Sequence, residues 1–133
     1  MVYWFLVRPT VTGVMFLLTD GDRVLLVRHT YGPSKWEVPG GSIKRREQPI
    51  SAARRELREE LGLDLGELTS LGELAVTLNW RRGRVHCFQA ALRTPRIELD
   101  QAELADAQWF QRTALPANVG RYVPEIVALA GRG

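Results

Sequence analysis

A single cysteine, Cys87, occurs in the whole sequence, so neither an intrachain disulfide nor a cysteine-cluster metal site can be built. Its neighbours, Val85-His86-Cys87-Phe88, predict a buried or half-buried strand position. Histidine is almost as scarce: His29 and His86 are the only two, and both read as structural or exposed rather than as ligands. No apolar stretch approaches the ~20 residues that cross a bilayer. The longest apolar start, Val2-Tyr3-Trp4-Phe5-Leu6-Val7, has no basic region before it and resembles neither a transmembrane helix nor a signal peptide. It is expected to form a strand or short helix capping the domain, or to offer its aromatics to a partner. No internal repeat, low-complexity tract or linker interrupts the chain. A cytoplasmic address without membrane association is expected.

What is present suits one globular domain over residues 1–133, large enough to bury a real core. Hydrophobic residues make up 45% and charged residues 25%, which is ordinary for a soluble domain. The net charge is +3, carried almost entirely by arginine. Coding bias alone yields such a surplus, but a mild positive field also favours polyanionic ligands such as nucleotides. No tract interleaves arginines with aromatics in a recognition pattern, so nucleic acid is not expected as a partner.

Along the chain, Val11 to Leu18 reads as a buried strand, Asp20-Gly21-Asp22 as a turn and Arg23 to His29 as the second arm of a hairpin. A loop follows, then the short segment Trp36-Glu37-Val38. Pro39-Gly40-Gly41 is expected to break regular structure and to permit close backbone approach. A helix should begin near Pro49 and stop at Gly62 as a left-handed cap. Its apolar face would comprise Ile50, Ala53, Leu57 and Leu61. Glu67 to Trp80 and Arg84 to Leu92 read as strands joined at Arg81-Arg82-Gly83. Ala107 to Phe110 reads as a further short strand and Val123 to Ala130 as a final helix. Hairpins alternating with helices predict an α/β or α+β sandwich, a mixed sheet covered by helices.

Glu56, Glu59 and Glu60 project from one side of the predicted helix, where like charges repel by about a few tenths of a kcal/mol per pair. Such an edge reads in three ways: a solvated face, a set of partners for nearby arginines, or ligands for a hard cation. Glu-Arg mixtures are common on exposed helices. Against that, a Gly-Gly turn lies just before this helix, and oxygen ligands suit magnesium or manganese. A divalent ion would turn the mutual repulsion into shared attraction.

The stretch from Gly41 to Leu63, GSIKRREQPISAARRELREELGL, follows the pattern G-x5-E-x7-R-E-U-x-E-E-x-G-U, with U a bulky aliphatic residue. Gly41, Glu47, Arg55, Glu56, Leu57, Glu59, Glu60, Gly62 and Leu63 fill every fixed place. This resembles the complete Nudix box, the signature of Nudix hydrolases. The resemblance implies a Nudix α/β/α sandwich and a metal-dependent hydrolase of a nucleoside diphosphate linked to another moiety. Water would attack one phosphorus and split the pyrophosphate bond. By the same resemblance, Glu56, Glu59 and Glu60 would hold Mg2+ or Mn2+, with the Gly40 carbonyl as a further ligand. One of those glutamates, or one outside the box, would act as general base. Arg55 would orient the glutamates, with Glu47 as its partner or as an outer ligand. Two places depart from common family usage: Arg46 stands where many members have glycine, and Lys44 where many have an acidic residue. The basic run Lys44-Arg45-Arg46 reads as a solvated loop or as an influence on substrate choice.

Outside the box, Glu103 precedes Trp109 at a spacing where some Nudix enzymes place an additional metal-binding or basic glutamate; a solvent-facing role is the alternative, and Glu98 is a weaker rival. Arg28 resembles a phosphate-contacting arginine of some relatives and reads equally as a strand-end charge. Tyr31, Trp36 and Trp80 are candidates for stacking on a base or for local packing. Substrate signatures narrow little: no proline lies about fifteen residues beyond the box, which disfavours ADP-ribose, and coenzyme A and NADH patterns are absent. Trp80 stands near the place of a tyrosine in diadenosine-polyphosphate hydrolases. A nucleoside triphosphate or related nucleotide is the broadest fit. The contrasting reading is a Nudix-fold module that senses a nucleotide without cutting it; such modules often lose box glutamates, and this chain keeps all of them. Dimers are common in the family, so a homodimer stays an option.

Overall fold

A computed structural model describes residues 11–32, 34–78, 81–92, 97–100 and 103–131. The N-terminal aromatic stretch and Trp80, both singled out above, lie outside the described residues. The elements are β1 (Val11–Asp20), β2 (Arg23–His29), β3 (Gly40–Ser42), α1 (Pro49–Leu61), β4 (Thr69–Leu78), β5 (Arg81–Ala91), β6 (Leu104–Gln111) and α2 (Val123–Ala130). They form a six-stranded mixed sheet with spatial order β4-β5-β1-β2-β6, and β3 pairs with β1 beside that path. Among the described residues no helix is long and apolar enough to cross a membrane.

β1 is the pivot. Along most of its length it runs parallel to β5, from Val11 opposite Arg84 to Thr19 opposite Ala91. Its far end makes a tight hairpin with β2 at Thr19–Val24 and Asp20–Arg23, turned by Gly21 at φ 59°. Its near end instead pairs antiparallel with β3, Gly13 opposite Ser42 and Met15 opposite Gly40. β1 and β2 therefore splay apart, and the segment 36–42 enters the gap. The Phe16 N–H donates to the Pro39 carbonyl, and Val27 and Glu37 exchange a pair of backbone bonds. The glycines expected to break structure thus build a strand. A Cβ on Gly40 would be forced into the Val14 carbonyl, so the close approach of β3 to β1 requires glycine there.

Both faces of the sheet are covered, which explains the almost unbroken apolar runs of β1 and β2. On one face Val14, Phe16, Leu18, Leu25, Val27 and Phe88 pack against Ala52, Ala53, Leu57 and Leu61 of α1. On the other, Leu17, Val24, Leu26, Val85 and Cys87 pack with Trp36 against Val123 and Ile126 of α2. Cys87 is fully buried, and burial pushes its thiol up to about 11. The α/β/α sandwich expected from the sequence is the fold that forms.

Helix α1 starts on Pro49 and closes on Gly62 at φ 66°, whose N–H returns to the Arg58 and Leu57 carbonyls, as the glycine signal required. One expectation about its face fails. Ile50 is in phase with Ala53, Leu57 and Leu61, but in the first turn it lies beyond the packed neighbours and stays 38% exposed. Ala52 is buried instead. Two further corrections concern strand lengths. The predicted turn Arg81-Arg82-Gly83 is paired strand, with Val76 opposite Gly83 and Leu78 opposite Arg81. β6 extends back to Leu104 because β2 pairs with it from Arg23 to His29.

Candidate active site

The acidic edge of α1 is organised by Arg55. Its Nε and Nη2 donate to the two Glu47 carboxylate oxygens at 2.9 and 2.8 Å. Nη1 donates to Glu56 at 2.9 Å and to Glu59 at 3.4 Å. Nη2 also donates to the Ser42 carbonyl at 2.9 Å, tying the helix to the end of β3. The planar guanidinium has the forked donors this arrangement needs, and lysine does not. Hydrogen bonds from Arg55 and from the Lys44 N–H hold the Glu47 carboxyl down to about 2. Glu47 in turn raises the affinity of Arg55 for its proton. The two form a fixed brace, and Glu56 leans on it.

Glu56 sits against β3. A Cβ on Gly41 would be driven into the Glu56 carboxylate, so the glycine leaves a cradle that the carboxylate fills. Glu59 is the exposed member of the three, its side chain 55% accessible.

Glu60 is different in kind. Seven residues after Ala53, it falls within about 20° of it on the helical wheel, inside the arc that faces the core. Only 7% of it is accessible, and its Oε2 is buried without a hydrogen-bond partner. Burial, followed by the charges of Glu56, Glu103, Asp100 and Glu59, pushes its carboxyl up to about 8. An unpaired buried carboxylate among four others is an arrangement proteins avoid unless something positive offsets it.

Glu103 and Asp100 reach this point because the chain before β6 is stitched to the last carbonyls of α1. The Glu98 N–H donates to Leu61 O and the Asp100 N–H to Glu60 O, both at 2.9 Å. The end of β2 joins the same seam, with the Thr30 N–H on the Glu103 carbonyl at 2.9 Å. The Tyr31 phenol hydrogen-bonds the Glu103 carboxylate; partial burial first, and Glu103 next, raise its pKa.

The donor set suits a hard cation: carboxylate oxygens, one of them orphaned, next to a glycine cradle. Among the described residues, however, no three Asp, Glu, His or Cys side chains already converge as a metal cage. Arg55 engages one oxygen of each of two carboxylates, Glu56 Oε1 and Glu59 Oε2.

Beside this edge lies a cleft of about 780 Å³ lined by Gly13, Met15, Tyr31, Lys35, Glu37, Val38, Gly40, Gly41, Thr77, Val85, Arg121 and Tyr122, among others. Gly40 and Gly41 form the wall between the cleft and Glu56. A smaller cavity of about 420 Å³, lined by Leu65, Thr69, Gln89 and Ala91 among others, contains none of the candidate site residues. The larger cleft is the one beside the chemistry.

Several cleft residues carried no sequence signal. Lys35 and Arg121 bring positive charge, and Tyr122 fixes the wall by accepting the Thr77 N–H at 2.7 Å. Glu37 is half-buried; desolvation raises its pKa while His29 and Lys35 act against that rise. The opposite holds for Arg28, a sequence candidate. It pairs with Asp106 at 3.2 Å and stacks 4.7 Å over the Trp36 ring, and it is not among the residues lining the cleft. Trp36 is 8% exposed and packs on Phe110. Glu98 lies at the helix cap, its Cβ against Gly62.

Residues 8–128 match the family described as NUDIX domain. An RNA pyrophosphohydrolase of Saccharophagus degradans is 41% identical over 78 residues, 59% of this chain and 43% of that protein. The NAD-capped RNA hydrolase NudC of Pseudomonas aeruginosa is 31% identical over 107 residues, 78% of this chain and 37% of that protein. The chain thus spans less than half the length of either relative. The crystal structure of a MutT NUDIX hydrolase from Burkholderia pseudomallei superposes with a TM-score of 0.82 at 20% identity, covering 92% of this chain and 98% of that one. With the box intact on its helix and the family match spanning nearly all of the sandwich, the chain belongs to the NUDIX domain family.

Proposed function

We propose that this chain, acting as one domain, is a pyrophosphohydrolase that cleaves the anhydride of a nucleoside diphosphate linked to another group. The observation that carries the reading is Glu60: a buried carboxylate with an unpartnered oxygen, ringed by acidic groups, one helical turn from Glu56, which packs on the Gly41 wall of a cleft of nucleotide size. Glu56, Glu59 and Glu60, with the Gly40 carbonyl, would hold Mg2+ or Mn2+. When bound, such an ion neutralises phosphate charge and acidifies water.

The rest falls to the chain. Gly40 lets β3 pair closely with β1 and Gly41 leaves room for the Glu56 carboxylate, so the backbone that lines the cleft stands directly against that group. Lys35 and Arg121 supply cationic charge on the cleft wall, and Tyr31 and Tyr122 offer ring faces for a base. Arg55, braced by Glu47, holds the Glu56 carboxylate in a fixed orientation. The glutamates around Glu60 are the acceptors for the proton of the attacking water, with Glu103 positioned by its bond to the Tyr31 phenol. By their names the two relatives are an RNA pyrophosphohydrolase and a hydrolase of NAD-capped RNA, so pyrophosphorylated and NAD-capped RNA belong beside mononucleotides as candidate substrates.

The test is a turnover screen of nucleoside triphosphates, dinucleoside polyphosphates, ADP-ribose and 5′-triphosphorylated RNA, with magnesium or manganese, for wild type and Glu60→Gln. Turnover of one class that collapses in the variant supports the enzyme. Binding of a nucleotide with no cleavage under either metal transfers the chain to the sensing modules of the same fold.

A further inference from the structure

Between β3 and α1, Lys44 to Glu47 close a tight turn. The Glu47 N–H donates to the Lys44 carbonyl, and the Lys44 N–H to a Glu47 carboxylate oxygen, each at 3.0 Å. Arg45 and Arg46 occupy its tip, the most projecting places, and both are exposed. Arg46 is the only non-glycine among the described residues with positive φ, at 65°. Left-handed backbone is disfavoured for a residue with a Cβ and is normally left to glycine or asparagine. A glycine there would make the same turn without strain. Such an outlier invites a functional explanation.

The surroundings sharpen it. The one acidic side chain inside the turn, Glu47, is already engaged by two bonds from Arg55. Among the described residues neither Arg45 nor Arg46 enters an ion pair, so both guanidinium groups face solvent uncommitted. The turn leaves the sheet at Ser42 and at Ile43, whose N–H donates to Thr12 O, and Ser42 and Thr12 both line the cleft. The tip thus begins three residues along the chain from Ser42 on the cleft lining.

We infer that the Arg45-Arg46 tip is a binding site for the phosphodiester backbone of an oligonucleotide whose 5′ end occupies the cleft, so that the substrate class is single-stranded RNA rather than a free nucleotide. The inference rests on the proposed function for its orientation. The planar fork of arginine suits phosphate oxygens, and two adjacent guanidinium groups match successive phosphates of a chain better than one compact nucleotide.

The experiment measures binding rather than turnover. Fluorescence anisotropy compares a 5′-triphosphorylated RNA of about eight nucleotides with a labelled nucleoside triphosphate across a salt series. The proteins are wild type, Arg45→Ser, Arg46→Gly and Arg46→Lys. The expected result is tighter binding of the RNA by wild type and a two- to fivefold loss per arginine removed, about what an exposed ion pair contributes. The salt slope should fall by about 0.7 per lost phosphate contact. Arg46→Lys, which keeps the charge but not the fork, should fall between wild type and Arg46→Gly, and Arg46→Gly should melt no lower than wild type, which shows that the fold survives.

Equal affinity of wild type for RNA and mononucleotide overturns the inference. So does an RNA salt slope that ignores both arginines. Loss of binding to phosphatidylserine vesicles in the variants, with RNA binding intact, overturns it in favour of a lipid surface. Because cleavage is not read out, an arginine-dependent RNA affinity stands even if the turnover screen is blank, and turnover of mononucleotides stands even if the RNA arm fails.

Discussion

If the Glu60 carboxyl is held neutral by its surroundings, the protein without metal should lose stability as pH rises through the neutral range, and Glu60→Gln should cancel much of that loss. In the folded chain this group is pushed from its ordinary 4.5 to about 8. The unfolded chain releases the proton near 4.5, while the folded chain keeps it to about 8. Between those values the native state binds more protons, so the free energy of unfolding falls as pH rises. Multiplying the displacement by about 1.36 kcal/mol per pH unit gives about 5 kcal/mol. Relaxation around an ionised Glu60 will reduce the measured figure, and even half of it moves Tm by about 10 °C in a domain of this size.

The assay is thermal or urea unfolding in a chelator at about pH 5 and about pH 8.5, for wild type and Glu60→Gln. Other shifted groups are common to both proteins and drop out of the difference. Glu47, held down to about 2, matters only in acid. Cys87, at about 11, matters only in alkali. Wild type should lose several kcal/mol across the interval relative to the variant, and the variant should be the more stable at the alkaline end. Magnesium should then restore wild type and leave Glu60→Gln little changed. Parallel pH profiles for the two proteins would refute the reasoning, because Glu60 would then ionise without cost.

Two substitutions probe the supports. Gly41→Ala drives a methyl into the Glu56 carboxylate; displacing a site group by about 1 Å lowers rate by about 10²-fold, so kcat should fall by that order while circular dichroism stays native. Arg55→Lys keeps the charge but loses the fork that holds Glu47, Glu56 and Ser42 together; kcat/KM should drop about 10- to 100-fold, with a smaller change in melting.

The parts of the molecule readable from sequence are those fixed by local chemistry. Pro49 and Gly62 bound α1 because one suits a first turn and the other a left-handed cap, and neither depends on distant contacts. The glutamates could be placed on one edge for the same reason. Ile50 shows the limit: periodicity gives the direction of a side chain but not whether anything stands opposite. The Gly40–Ser42 strand is hidden in the sequence because glycine usually signals a break, whereas here its lack of a Cβ lets two backbones pair closely. Arg121, Tyr122 and Lys35 had no local pattern, since only the folded topology carries them to the cleft. Glu60 is the instructive case. Its spacing from Glu56 and Glu59 is plain in the sequence, but the negative charges of Asp100 and Glu103 that add to its burial reach it only in the fold.

The segment 36–42 that enters the gap between β1 and β2 is itself clasped by the chain before α2, through a β-bridge between Trp36 and Val119. The Trp36 N–H donates to Asn118 O and the Gly120 N–H to Trp36 O, and the Asn118 side-chain amide adds a bond to Ser34 O at 3.1 Å, so the chain just before α2 is fastened onto the N-terminal half mainly by backbone atoms. The backbone bonds ignore side-chain identity. Arg121, which lines the cleft beside the join and takes no part in those bonds, can therefore be rewritten without loosening it, while Tyr122 keeps its tie to Thr77 and the acidic edge on α1 stays as it is. Under the proposed function, a chimera carrying a relative's 117–123 segment should therefore take on the relative's preferences while keeping this chain's carboxylates.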